Sequence, residues 1–226
     1  MGISINGTDI SAYGAKLINY SVSGIPYSAH FVKAPQMAFP ITFKGSAGLR
    51  EIGLQLDFIA TDAATAETNI SSFVAACMAG CDLLLPDGYY YNCVFGAEEA
   101  SKHVAPYISQ LNIKLFGVRH GALVTSSAMT AETTLAVTGN RQTPARVTIS
   151  NISADCSVTI NGTEIDISDT TGTVIIDGIN CTVTNSGVNV FGKTNLTKFP
   201  VLNAGNNVID MTNGLSVIIE YYPLFV

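Results

Sequence analysis

The chain has 226 residues, 47% of them hydrophobic and only 12% charged, with a net charge of −6, against roughly 25% charged residues in an average soluble domain. Leu, Ile, Val and Phe are too plentiful for disorder, and no apolar run approaches the roughly 18 to 20 residues of a membrane-spanning helix. No Lys/Arg cluster offers a nucleic acid the cations that phosphate binding needs.

In chain order, Met1–Asn6 has neither a basic region followed by a long apolar stretch nor a Ser or Thr where a myristoylation signal wants one, so no export or lipid signal is expected. From Gly24 to Pro40 the apolar residues Ile25, Tyr27, Phe31, Val32, Met37 and Phe39 are interleaved with Pro26, Pro35 and Pro40. Proline is excluded from the middle of a sheet, so this stretch is either an arm that finds its burial on a neighbouring subunit or a hairpin folded onto its own core. Glu51–Ala60 alternates Ile52, Leu54, Leu56 and Phe58 with Gly53, Gln55 and Asp57. That is the period of a strand with one buried face. Asp62 offers a helix N-cap, Ile70, Phe73, Val74 and Cys77 share one helical face, and Gly80 stops the helix, which is expected near 62–79. Leu83–Leu85, Pro86-Asp87-Gly88 and Tyr89–Tyr91 read as strand, turn and strand. Tyr107–Phe116 alternates again.

From Gly121 to Thr134 the residues turn small and polar, which suits a domain junction, and the boundary is placed near residue 125. Beyond it helical periodicity is gone. Short runs at Ala145–Ile149, Ser157–Ile160, Thr163–Ile167, Val174–Asp177 and Leu215–Tyr222, divided by Asn-Gly and Asp-Gly turns, predict a β-sandwich. The run from Ile5 to Ile10 nearly recurs from Ile160 to Ile165, an echo expected from one type I′ turn used twice. The fold class is therefore mainly β, with two domains at 1–125 and 126–226.

Chemistry is sparse. Residues 187–194 spell the G-x-x-x-x-G-K-[ST] pattern of a phosphate-binding loop, but that mechanism needs a helix after the loop, and Pro200 follows too soon. The five cysteines are odd in number and scattered, unlike a disulfide framework. Cys77 and Cys81 would share a face if the helix reached both, with Cys93 and His103 as possible further zinc ligands, but the spacing fits no common finger. His30, His103 and His120 have no recognisable catalytic partner, and Glu98-Glu99 with Lys102 reads as a solvated loop. Asp166, Asp169 and Asp177 read as turn residues. No catalytic residue, cofactor site or metal site is assigned. The scarcity of charge points to a surface covered by other protein chains, the competing reading being a monomer coated with Ser, Thr and Asn.

The order of these elements resembles the distal tail (Dit) proteins of long-tailed bacteriophages. The Ile5–Ile10 opening, the apolar arm, the Asp-capped helix and the Leu-rich strand with Pro86-Asp87-Gly88 and three tyrosines stand in that order. Then come Thr143–Ile149, Val158–Thr163, Val174–Gly178, Phe199–Leu202, Gly205–Asn207 and Val217–Pro223, which are similar to the family's galectin-like second domain. The resemblance implies two β-sandwich domains, the first with one packed α-helix and a projecting arm hairpin at 24–40. It further implies a hexameric ring at the distal end of the tail, in the virion, assembled in the host cytoplasm. Implied partners are the tail tube protein, the tail-tip hub protein, and receptor-binding or tape-measure proteins, without nucleic acid or membrane. Ile25, Tyr27, Phe31, Val32, Met37 and Phe39 would then form the oligomer interface. The rival reading is a carbohydrate-binding module for host cell-wall recognition, for which the second half offers Phe191, Phe199, Tyr221, Tyr222 and Phe225.

Overall fold

The computed structural model describes residues 2–32, 41–105 and 107–226, and for 29–32, 41–44, 100 and 101 the backbone alone. The chain divides into two compact units, Met1–Arg119 and His120–Val226.

The strands of the first unit are β1 (Ser4–Ile5), β2 (Thr8–Asp9), β3 (Ala15–Val22), β4 (Tyr27–Val32), β5 (Ile41–Ala47), β6 (Arg50–Ile59), β7 (Cys81–Leu84), β8 (Tyr90–Ala105) and β9 (Ile108–His120). Seven of them form one sheet in the order β2-β1-β7-β8-β9-β6-β3, while among the described residues β4 and β5 pair only with each other. Alternation in β6 and β9 sends Ile52, Leu54, Leu56, Phe58, Leu111, Ile113 and Leu115 into the core, all 2% exposed or less. Their outward neighbours are polar, as expected for a sheet with one buried face.

Helix α1 (Ala63–Met78) covers that core. The Asp62 carboxylate accepts the Thr65 N–H at 2.8 Å and the Thr65 hydroxyl at 2.9 Å, the first of which satisfies an amide the first turn would leave orphaned. Ala66, Ile70, Phe73 and Cys77 form the buried stripe, and Phe73 meets Phe58 and Tyr13 edge-on at 5.6 and 5.7 Å between ring centroids. Gly80, at φ 84°, reverses the chain. Cys81 therefore opens β7 opposite Cys93 rather than extending the helix face of Cys77. Glu98 and Glu99, expected in a loop, lie within β8.

In the second unit, β10 (Val124–Thr125), β12 (Thr143–Ile152), β15 (Gly172–Asp177), β16 (Thr182–Asn185), β17 (Val188–Asn189), β18 (Val201–Leu202) and β20 (Ser216–Tyr221) form one sheet. The other contains β11 (Thr133–Val137), β13 (Cys156–Ile160), β14 (Thr163–Ile167) and β19 (Gly205–Met211). Val147, Ile149, Val174, Ile176, Val217 and Ile219 of the first sheet share one core with Val158, Ile160, Ile165, Ile167 and Ile209 of the second. This is a β-sandwich. The small polar stretch after Gly121 is stitched to it, because Val124 pairs with Tyr221 and Met129 bridges Val217.

The echoed Asn-Gly turns are alike in detail. Asn6 and Gly7 have φ 50° and 78°, Asn161 and Gly162 φ 50° and 79°, the left-handed pair that a type I′ turn requires. Each Asn also exchanges two bonds with a third strand. Asn6 donates its N–H to the Asp82 carbonyl and accepts the Asp82 N–H on Oδ1, both at 2.8 Å. Asn161 does the same with Val208 at 2.9 and 3.1 Å. The side-chain carbonyl replaces the main-chain one that the turn has rotated away. Asn161 further donates Nδ2–H to Oδ1 of the fully buried Asn207 at 2.7 Å.

Two outcomes follow from the first unit's core and cap. Phe73→Ala removes a ring that is 0% exposed, and the expected loss is about 3–5 kcal/mol of unfolding free energy in urea titrations. Hydrogen bonds from the Thr65 N–H and from the Thr65 and Thr61 hydroxyls hold the Asp62 carboxyl below the usual carboxylate range. Its stabilising contribution is thus present above the unfolded value of about pH 4 and is lost as pH falls through the lower folded value. Asp62→Asn should keep the cap at neutral pH yet show a smaller loss of melting temperature on acidification, read by circular dichroism.

Candidate functional site

The β4–β5 pair is the first candidate. Strands β3 and β6 are adjacent and antiparallel, with Val22 opposite Ile52, and the chain between them leaves as a second antiparallel ribbon, Tyr27 opposite Ala47 through Val32 opposite Ile41. Its base is pinned. Ser23 exchanges backbone and side-chain bonds with Glu51 at 2.8 Å, and Arg50 donates Nη1–H to the Ser23 carbonyl at 2.8 Å. Pro26 and Gly48 then interrupt the ladder, with the Gly48 N–H donated to the Pro26 carbonyl at 2.8 Å. Tyr27 lies across Gly45, where a Cβ would stand 2.5 Å from the ring. The Tyr27 side chain is nevertheless 64% exposed. Of the other arm residues, Ile25 is half-buried, Phe31 and Val32 lie on β4, and Met37 and Phe39 fall outside the described residues. A two-stranded ribbon is marginal in water without a third strand or a surface to pack on.

On the outer face of the first sheet one cation stands between two acids. Lys114 reaches Glu51 at 3.0 Å and Glu99 at 2.8 Å, and those bonds raise its pKa. Gln110 donates to Asp57 at 3.1 Å. The register sets Asn19, Gln55 and Asn112 in one row across β3, β6 and β9, flanking a shallow, open groove over Gly53. At one end of the sheet the Arg119 guanidinium lies 4.6 Å from the centre of the Tyr89 ring, a cation–π contact that neither residue announces alone.

The phosphate-loop spelling at 187–194 falls in other structure. Val188 and Asn189 form the edge strand β17, Phe191–Lys193 is a single 3₁₀ turn, and Lys193 reaches Asp169 at 3.3 Å. Asp177 holds a turn, accepting the Ile179 and Asn180 N–H groups at 2.9 Å. His103 meets the buried Ser109 hydroxyl at 2.9 Å, and His120 Nδ1 donates to the Gly121 carbonyl at 2.7 Å. The aromatic residues of the carbohydrate reading are dispersed in role. Tyr221 is buried, Tyr222 packs edge-on against His120 at 4.9 Å, Phe199 is half-buried beside Phe191, and Phe191 is 44% exposed.

Cys77, Cys81 and Cys93 are buried together in the first core. Hydrogen bonding to Cys81, and then burial, hold the Cys77 and Cys93 thiols well above the usual range. Among the described residues no group of His, Cys, Asp and Glu is arranged to hold a metal ion, and no helix is long and apolar enough to cross a membrane.

No known protein family's sequence profile matches the chain, nor does any curated protein. Solved structures do match. The Dit protein of phage SPP1, described as a paradigm of the hub adsorption apparatus in phages infecting Gram-positive bacteria, superposes with a TM-score of 0.74 at 12% identity, over 100% of this chain and 99% of that one. The fold is that of a phage distal tail protein. Two structures of the phage p2 baseplate in its activated conformation, with strontium and with calcium, contain a chain that matches at TM-scores of 0.57 and 0.58 and 9% identity, over 94% and 96% of this chain. The distal tail fold thus spans both units, in agreement with the resemblance carried by element order.

Thiol chemistry offers a direct check on the burial pattern. Cys181 is exposed, Cys156 half-buried and the other three buried. Titration of the native protein with a disulfide reagent should label Cys181 first and Cys156 more slowly, with Cys77, Cys81 and Cys93 reacting only on unfolding.

Proposed function

We propose that this chain is a structural virion protein of a phage tail tip, whose copies close into a hexameric ring connecting the tail tube to the tail-tip hub and adsorption apparatus. The observation that carries the reading is the full-length match to SPP1 Dit, which takes in both units of this chain. The pinned ribbon supports it. Ile25 and Tyr27, with Phe31 and Val32 on β4, belong to a ribbon that pairs with no third strand among the described residues, the same apolar stretch of sequence carries Met37 and Phe39, and a neighbouring copy would give these six residues burial. The scarcity of charge fits a surface designed for contact. In this reading the protein acts as a connector rather than an enzyme, at the distal end of the tail, and assembles in the host cytoplasm. Its partners are the tube protein and the hub protein, with receptor-binding or tape-measure proteins as further neighbours.

Native mass spectrometry and electron microscopy of the purified full chain test this. Rings of six copies are expected, and the double variant Tyr27→Asp, Phe31→Asp should give monomers with an unchanged circular dichroism spectrum. A chain that stays monomeric at high concentration would refute the ring.

A further inference from the structure

The sequence contains three Asn-Gly steps, at Asn6-Gly7, Asn161-Gly162 and Asn213-Gly214. Such a step is chemically weak because glycine has no side chain to shield its nitrogen. The glycine nitrogen attacks the Asn side-chain carbonyl carbon, a C–N bond forms, and ammonia leaves with the displaced proton. Water then opens the resulting succinimide at either carbonyl, giving aspartate or isoaspartate. One water is consumed and one ammonia released, with no change of oxidation state. In a folded chain the step requires the Asn amide and the adjoining peptide to rotate, so its rate follows local opening of the turn.

The three steps differ in what restrains that rotation. At Asn6 and Asn161 the side-chain carbonyl is bound to the Asp82 and Val208 N–H groups of a third strand. The backbone N–H of each Asn is bound to the same partner residue, and the Asn161 amide is further held by buried Asn207. Asn213 lies in the turn joining β19 to β20, exposed, with Gly214 at φ 90°. That turn is closed by one bond from the Leu215 N–H to the Thr212 carbonyl at 3.3 Å. The Asn213 side chain has no hydrogen-bond partner among the described residues.

We propose that Asn213 is a site of spontaneous deamidation in the native protein, and that Asn6 and Asn161 are spared because their side chains serve as strand pairs. The same dipeptide is thus labile or inert according to whether a third strand takes up its amide. Conversion adds one negative charge to the connection between the two sheets of the second unit, and the isoaspartyl product lengthens the backbone there by one carbon.

The test ages the full-length protein in mildly alkaline buffer, native and in denaturant, and maps peptides by mass spectrometry, with methyl transfer by an isoaspartyl methyltransferase as a second readout. In the native protein Asn213 should convert faster than Asn6 and Asn161 by about tenfold or more, since each restrained side-chain amide must first break its hydrogen bonding to the third strand. In denaturant the three rates should converge. Asn213→Gln should remove the acidic species that accumulates on isoelectric focusing. Native protein in which Asn213 stays intact, or converts no faster than Asn161, overturns the proposal, as does an acidic species that persists in the variant.

Discussion

An antiparallel pair of strands with no third strand and no surface to lean on buries too little to hold itself. Among the described residues the β4–β5 ribbon has no third strand, while the β3–β6 pair from which it springs belongs to a seven-stranded sheet. Ser23, Arg50 and Glu51 fix the root of the ribbon through bonds of 2.8 Å, and the interruption at Pro26 and Gly48 separates it from the sheet. A rigid root with an exposed Tyr27 just beyond it suits an element that completes its burial elsewhere. The connector reading depends on this more than on any chemical group.

The rest of the first unit serves to make that root firm. The α1 stripe of Ile70, Phe73 and Cys77 closes the core on which β6 rests, and on the outward face Lys114 bridges Glu51 and Glu99. Ion pairs this exposed contribute little to stability. One lysine between two glutamates leaves that cluster with one net negative charge.

The Asn-Gly turns show how similar local sequence solves similar edge problems in two unrelated settings. A type I′ turn rotates a carbonyl out of the ladder, and the adjacent strand would lose an acceptor for its N–H. The Asn side chain restores it at both places. The device asks for Asn and not merely for a residue tolerant of positive φ, and it distinguishes these turns from the one at Asn213.

Much of the architecture was legible in the residues. Period-two alternation over 51–60 and 107–116 marks half-buried strands because side chains alternate across a sheet, and Asp62 with Gly80 brackets the helix because only those residue types satisfy its ends cheaply. What chain order could not specify is which distant segments meet. Cys81 leaves the helix to face Cys93, Glu99 lies in a long strand beside Lys114, the 121–134 stretch joins the second sandwich, and residues 187–194 carry a phosphate-loop spelling on an edge strand. The first three outcomes depend on strand pairing across twelve or more residues, which local pattern does not encode, whereas β17 pairs locally with β16. That β4 and β5 have no third strand among the described residues is likewise a property of the sheet order, since only pairing decides it.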